Sequence, residues 1–130
     1  MQNLIQEYLD CLERADYDKL INLFEPDAIV YSPLYGKKDA KEFYRKLFED
    51  TTQSKIKLIN IFTDEVNKSA AAYFHYDWTL SNNTSAPFDV VDIFELNDTF
   101  DKIINLRIIY DTWQTREKFN DLSPSGYAIS

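Results

Sequence analysis

The segment from Phe88 to Asn97 constrains the fold more than any other part of the sequence, because its apolar and polar residues alternate. Alternation with period two, in a segment rich in β-branched and aromatic residues, predicts a β-strand. Because successive strand side chains point to opposite faces, one face carries a mostly apolar row: Phe88, Val90, Asp92, Phe94 and Leu96. A carboxyl group on a buried face needs a partner or a functional role, so Asp92 is the first candidate site residue.

The composition limits the class of protein. The 130 residues suffice for one domain with a hydrophobic core. The net charge of −8 argues against nucleic acid and anionic membranes as partners. The single cysteine, Cys11, excludes an intrachain disulfide, and one cysteine with one histidine does not make a metal site, so we expect no metal and no cofactor. With no apolar run near ~18 residues and no visible signal peptide, we expect a cytoplasmic protein.

Helical periodicity marks three segments of the first half, at residues 3–14, 17–24 and 40–48. Asp16 and Asp39 precede the second and third segments and are expected to cap these helices. A short strand at residues 27–33 is expected between them.

From residue 55 onward the period changes to two, which predicts four strands joined as an antiparallel meander. The first of them, residues 55–63, is apolar on both sides, as expected of a central strand. The segment after the last strand, residues 117–130, loses periodicity and contains Ser-Pro-Ser-Gly. We therefore predict one domain at residues 1–116 and a C-terminal tail at 117–130.

The lengths of these strands predict a curved sheet. A strand of ~14 residues would be ~45 Å long, whereas a chain of this size has a radius of gyration of only ~14 Å. The strands must therefore bend. The resulting α+β fold is a cone-shaped, curved antiparallel sheet packed against three N-terminal helices, with Asp92 pointing into the hollow between them.

Several segments, in this order along the chain, resemble the nuclear transport factor 2-like superfamily. They are Gln6-Glu7-Tyr8-Leu9, Ala15-Asp16-Tyr17-Asp18, Leu23-Phe24, Asp27-Ala28-Ile29-Val30, Gly36, Glu42-Phe43-Tyr44 and Asp92-Ile93-Phe94. The resemblance covers roughly residues 3–113 and is greatest to the branch of the ketosteroid isomerases and SnoaL-like polyketide cyclases. It implies the α+β barrel of that superfamily, a scaffold that hosts many unrelated activities.

The resemblance also implies roles for particular residues. In the ketosteroid isomerases a tyrosine of the first helix and a protonated aspartic acid of a strand share the oxyanion, and Tyr8 and Asp92 match these positions. SnoaL-type cyclases have an acid/base aspartate on the same strand. The isomerase general base is an aspartate just before the proline that ends the first strand, where this chain has Ser32 before Pro33. Steroid isomerisation is therefore not expected.

His75 is the only histidine and a candidate substitute for the missing base. A gap-free alignment with the isomerases puts Tyr73, His75 and Asp77 on the pocket side. Hydrophobic periodicity instead directs the alternate row, which includes Phe74 and Tyr76, toward the core. One β-bulge would exchange the two rows, so His75 is either a pocket base or a residue of the outer surface.

The expected ligand contacts around Asp92 are Ser32, Tyr44, Tyr73, Asp77, Phe94, Leu106, Ile108 and Tyr110. Asp92 itself is either an acid acting on a ligand or a carboxyl tied to Tyr8 or Tyr44 for structure alone.

Three functions fit the sequence. The chain is a pocket protein for a small, largely apolar carbonyl-type ligand, a cofactor-independent isomerase or cyclase, or a non-catalytic association domain. The outer sheet face, with Val91, Ile93 and Ile109, predicts a homodimer.

Overall fold

The computed structural model describes residues 1–122, which form four helices and six strands. In chain order these are α1 (Gln2–Arg14), α2 (Tyr17–Ile21), β1 (Phe24–Ser32), β2 (Gly36–Asp39), α3 (Ala40–Glu49), β3 (Thr51–Asp64), β4 (Ser69–Leu80), β5 (Ser85–Leu96), β6 (Ile103–Ile109) and α4 (Trp113–Leu122). None of these four helices combines the length and the apolar character that crossing a membrane requires.

The six strands form one curved sheet in the order β2-β1-β6-β5-β4-β3. This confirms the α+β architecture with a curved sheet and helices, but the sheet is open, with β2 and β3 at its edges, and not closed into a barrel. One strand pair departs from the expected antiparallel arrangement, because β1 runs parallel to β6. The remaining neighbours are antiparallel.

Strand β3 is an edge strand, which corrects the expectation that its apolar residues mark a central one. The pairing of β3 with β4 shifts register between Leu58 and Asn60. Because a bulge changes the face on which the following side chains lie, Ile59 and Phe62 are exposed although their neighbours in sequence pack against the core. The apolar residues of β3 therefore reflect a bulge, not cover on both faces.

The helix starts follow the predicted capping residues. The Asp16 side chain accepts a hydrogen bond from the Lys19 backbone N–H at 3.3 Å, and Asp39 accepts one from Glu42 at 2.9 Å. Each carboxylate satisfies one of the backbone donors that a helix N-terminus leaves free. Helix α2 ends at Ile21, and β1 begins at Phe24. Pro26 therefore lies within the strand and does not mark the end of the helix.

The alternating segment forms β5, with Val90, Asp92, Phe94 and Leu96 buried on the inner face and Phe88 half-buried. It pairs with β4 from Ser69 to Thr79 without a register shift. Small and aliphatic residues therefore flank Asp92 across the sheet, with Ala72 opposite it on β4 and Ile108 opposite it on β6.

Helix α4 corrects the predicted C-terminal tail, since the expected boundary at residue 116 falls inside this helix. Phe119 is fully buried, and its ring centroid lies 4.9 Å from that of Tyr35 and 6.0 Å from that of Trp78. The sequence gives little sign of this helix, because its apolar residues in contact with the core are few: Phe119 and Leu122. Residues 123–130 of the predicted tail lie outside the described residues.

Replacing Phe119 with alanine should destabilise the domain by about 3–5 kcal/mol, the usual loss for a buried phenylalanine. Trp113→Ala in the same helix is the matched control, because Trp113 is 85% exposed and should change stability by about 0.5 kcal/mol or less. Urea unfolding of both variants measures the difference. Equal, small effects would show that α4 is not part of the folded core.

Candidate functional site

A cavity of about 50 Å³ lies between the sheet and helices α1 and α3. Its walls are mostly aromatic and are formed by Tyr8, Leu12, Ser32, Leu34, Tyr35, Phe43, Tyr44, Leu47, Phe74, Tyr76, Trp78, Phe88, Val90, Asp92, Ile108 and Tyr110. Four of these residues are half-buried, and the others are buried. The four are Ser32, Phe88, Ile108 and Tyr110, so they mark the mouth of the cavity.

Asp92 is the carboxyl group of this cavity and is only 2% exposed. Among residues 1–122, no group forms a hydrogen bond with its Oδ1 atom, which is buried. Burial disfavours the charged form and raises the pKa of Asp92 from its ordinary value to about 8. At neutral pH the group is therefore mostly an uncharged carboxylic acid that can donate a hydrogen bond.

Tyr8 of α1 and Tyr44 of α3 meet beside Asp92, and their hydroxyl oxygens lie 2.6 Å apart. Burial raises the pKa of both phenols, and the nearby Asp92 raises it further. The two hydroxyls bond each other, and neither forms a hydrogen bond with Asp92 Oδ1. Whichever hydroxyl accepts in the Tyr8–Tyr44 bond keeps its own proton for another acceptor.

Three further phenols line the cavity. The Tyr35 hydroxyl donates to Asp50 Oδ2 at 2.7 Å, the Tyr76 hydroxyl lies 2.8 Å from Ser54 Oγ, and Tyr110 forms a hydrogen bond with the Thr115 side chain. Burial raises the pKa of all three tyrosines. All five phenols of the cavity wall therefore stay protonated at physiological pH, so Asp92 shares the cavity with uncharged polar groups.

Ser32 lines the cavity at the position where the steroid isomerases have their base. Its Oγ accepts hydrogen bonds from the backbone N–H groups of Leu34 and Tyr35, both at 3.2 Å. This pattern shapes the turn between β1 and β2. Ser32 therefore has a structural role at this turn.

His75 lies on the outer face of the sheet, together with Tyr73 and Asp77, which corrects their assignment to the pocket. Its Nδ1 is 2.8 Å from Asp89 Oδ1, and its Nε2 is 3.2 Å from Asp77 Oδ1. These hydrogen bonds, chiefly the one with Asp89, raise the pKa of His75. Ala72 pairs with the inner-facing Asp92, and β4 and β5 pair without a register shift, so the row with Phe74 and Tyr76 is the inner one, as the hydrophobic periodicity predicts.

The other expected ligand contacts divide into two groups. Tyr44, Ile108 and Tyr110 line the cavity. Phe94 and Leu106 are fully buried but pack in the core outside the cavity wall.

Some residues of the cavity wall were missed by the sequence analysis. Trp78 and Phe88 belong to rows that the alternation had already placed inside, so their signal was present in the sequence. Tyr35 had no such signal, since it lies in the turn between β1 and β2.

Residues 5–105 match the family model described as a SnoaL-like domain. The chain belongs to the SnoaL-like domain family. That family lies within the nuclear transport factor 2-like superfamily, so the resemblance predicted from the sequence is confirmed. No curated protein matches this chain.

Solved structures show the same fold at low sequence identity. PrhC from Penicillium brasilianum NBRC 6234 superposes with a TM-score of 0.80 at 13% identity, covering 94% of this chain and 87% of PrhC. SalBIII, an epoxide hydrolase/cyclase-like enzyme with a role in pyran ring formation in polyether salinomycin, gives 0.75 at 19% identity, with 87% and 92% covered. A nuclear transport factor 2-like protein of unknown function from Burkholderia pseudomallei K96243 gives 0.74 at 14%, with 93% and 95% covered.

The raised pKa of Asp92 should make stability fall as the pH rises. Between about pH 4 and pH 8 the folded SnoaL-like domain holds a proton that the unfolded chain has released, which costs up to about 1.4 kcal/mol of unfolding free energy per pH unit. Asp92→Asn removes this contribution, so its stability relative to the native protein should increase from pH 5 to pH 8. Urea unfolding across this range measures the difference.

The matched control is Asp27→Asn, which alters an exposed carboxylate of β1. Its stability difference from the native protein should stay constant over the same pH range. A constant difference for Asp92→Asn as well would show that Asp92 is ionised in the folded domain.

Proposed function

We propose that this SnoaL-like domain binds a small, largely apolar carbonyl compound in the cavity, with the Asp92 carboxyl group donating a hydrogen bond to the carbonyl oxygen. The observation that carries the proposal is the buried Asp92 Oδ1 atom, which has no hydrogen-bond partner among residues 1–122 although it belongs to the cavity wall. Buried polar atoms of native proteins are nearly always paired. A ligand that bonds the carboxyl group would satisfy it.

The remaining chemistry of the cavity supports an uncharged ligand group inside it. Within the described chain its walls carry no lysine, arginine or histidine, and its phenols are protonated. Asp92 would repel an anion whenever it ionises. Tyr8 or Tyr44 supplies a second donor at the same end of the cavity, and two donors at one oxygen are the arrangement that stabilises an enolate or a polarised carbonyl.

A second candidate function is cofactor-independent acid–base catalysis of the isomerase or cyclase type. It is favoured by the pKa of about 8, since a general acid or base is most effective when its pKa lies near the working pH. With Ser32 in the base position and His75 on the outer face, Asp92 would have to transfer the proton alone. SalBIII illustrates that this fold hosts cyclase-like enzymes.

A third proposal is a homodimer formed through the outer sheet face. An apolar patch, defined as Phe62, Val91, Ile93 and Ile109, lies there on β3, β5 and β6, with Ala71 of β4 between Phe62 and Ile93. Phe62 is 55% and Ile109 50% exposed. Contiguous apolar surface of this kind is typical of protein interfaces.

The cytoplasmic location and the absence of nucleic-acid partners remain predictions from the sequence.

Binding of a neutral aromatic ketone such as acetophenone should depend on the protonation of Asp92. The affinity should be constant below about pH 7 and should fall above about pH 8, because the carboxylate can no longer donate to the ketone. In Asp92→Asn the affinity should become independent of pH, since the amide donates at every pH. Ligand-detected NMR titration between pH 6 and pH 9 measures both dissociation constants.

A second pair of variants separates the cavity from general effects. Tyr8→Phe should weaken acetophenone binding about two- to tenfold, the usual value of one hydrogen bond. Tyr17→Phe removes a hydroxyl that bonds the Lys41 carbonyl instead and should leave binding unchanged. Absence of binding to the native protein would contradict the pocket function and leave the association role.

The native protein should sediment as a dimer at micromolar concentration. Ile93→Glu places a charge within the apolar patch and should give a monomer, because a desolvated charge opposes association. Val66→Glu is the control, since Val66 is 89% exposed and lies in the β3–β4 turn outside the patch. Analytical ultracentrifugation of the three proteins is the measurement, and a monomeric native protein would refute the interface.

A further inference from the structure

A surface groove of about 380 Å³ lies at the rim of the sheet, where β1 turns into β2 and β6 ends. It shares Ser32, Ile108 and Tyr110 with the internal cavity. These are three of the four half-buried residues that mark the cavity mouth, and the fourth, Phe88, stacks on Tyr110 with ring centroids 4.1 Å apart. The groove therefore adjoins the cavity mouth and continues onto the outer face of the sheet, where Arg107 lies opposite Ile93.

Two cations line this groove on either side of one aromatic ring. Lys37 Nζ lies 5.9 Å and Arg107 Cζ 4.3 Å from the ring centroid of Tyr31, within the range of cation–π contacts. In the part of the chain that the structure describes, neither cation forms a salt bridge. Unpaired neighbouring cations are unexpected in a chain with a net charge of −8, and they make the groove locally positive.

A third cation, Arg116, lies beside the mouth of the cavity. Arg116 of α4 donates from Nη2 to the carbonyl oxygen of Pro33, a groove residue, at 3.1 Å. The positive charge of Arg116 lowers the pKa of Tyr110, but burial raises it by more, so the net shift is upward. Arg116 Nη1 is buried and has no hydrogen-bond partner within residues 1–122. Like Asp92 Oδ1 at the inner end of the cavity, it is a polar atom without a partner.

The volumes of the cavity and of the groove favour a ligand that occupies both spaces. The cavity, at about 50 Å³, is several times the ~10–15 Å³ that one ordered water requires, but it is far below the ~300–1,000 Å³ of typical ligand pockets. The adjoining groove supplies the missing space and differs in character, being basic where the cavity is uncharged. A ligand that uses both must carry an uncharged end and an anionic end.

We propose that the ligand is an amphipathic carboxylic acid, whose apolar, carbonyl-bearing end enters the cavity and whose carboxylate lies in the groove against Lys37 and Arg107. This inference rests on the proposed function of the cavity. The planar guanidinium of Arg107 matches a carboxylate in geometry, and Arg116 adds positive charge at the mouth between the two ends of the ligand.

The test uses ω-(4-hydroxyphenyl)alkanoic acids of increasing chain length and their methyl esters, in which the phenol mimics an enolate in the cavity. The acid of the best length should bind about two- to tenfold more tightly than its ester at low ionic strength, the advantage expected of exposed charge pairs. Because salt screens exposed charges, the advantage should shrink at high ionic strength. Isothermal titration calorimetry gives both dissociation constants.

The double variant Lys37→Gln with Arg107→Gln should remove the advantage of the acid and leave the affinity for the ester unchanged. Lys57→Gln is the control for net charge, since Lys57 is an exposed cation of β3 outside the groove. Ile109 belongs both to the groove and to the apolar patch, so the oligomeric state is measured at the titration concentration.

The outcomes separate the two proposals. If the esters bind and the acids gain nothing, or if the double variant keeps the advantage, the groove inference is overturned and the cavity function stands. If neither acids nor esters bind, both proposals are overturned. Lys57→Gln removes one of the two charges that the double variant removes. If it loses half of the free-energy advantage of the acid, that advantage reflects net charge and the groove inference is overturned.

Discussion

The burial of one carboxyl group without a partner determines the chemistry of this domain. Burying a carboxylate in a protein costs several kcal/mol of effective free energy, and a site that excludes water offsets this cost only through hydrogen bonds or counter-charges. The Asp92 carboxyl has neither at Oδ1, so the proton remains attached. The surrounding phenols then need no compensating charge, and the cavity as a whole remains neutral inside a strongly acidic chain.

The helices and the C-terminal segment maintain this environment together. Tyr8 and Tyr44 come from different helices, and their mutual hydrogen bond holds both rings against the inner sheet face. Phe119 of α4 packs on Tyr35 and Trp78, which belong to the cavity wall. The water exclusion around Asp92 thus depends on elements from both ends of the described chain.

Local patterns in the sequence were sufficient for much of the fold. The more apolar row of β5 placed Asp92 inside, and the Asp16 and Asp39 caps located two helix starts, because these features depend on neighbouring residues alone. Long-range features were not accessible. The β3 bulge, the edge position of β3 and the parallel pairing of β1 with β6 are set by partners distant in sequence.

The residues of the candidate site were likewise predictable only where local patterns or the family resemblance identified them. Tyr8, Tyr44 and Asp92 were identified from a family resemblance together with periodicity, and they meet in the structure. His75 was undecided, because aligning the hairpin with the isomerases and reading its hydrophobicity gave opposite faces, and the in-register pairing of β4 with β5 supports the second. Arg116, whose Nη1 atom has no hydrogen-bond partner among residues 1–122, had no signal in the sequence, since its position depends on the Pro33 carbonyl far away in sequence.

The parallel pairing of β1 with β6 also constrains how the chain folds. Residues 24–31 pair with residues 103–107, so the sheet is incomplete until nearly all of the described chain is available. The hairpins of β3, β4 and β5 need only local closure and can form earlier, whereas insertion of β6 beside β1 carries the entropic cost of a long loop. During synthesis on the ribosome, the edge of β1 that β6 later covers would therefore remain unpaired until the last strand emerges.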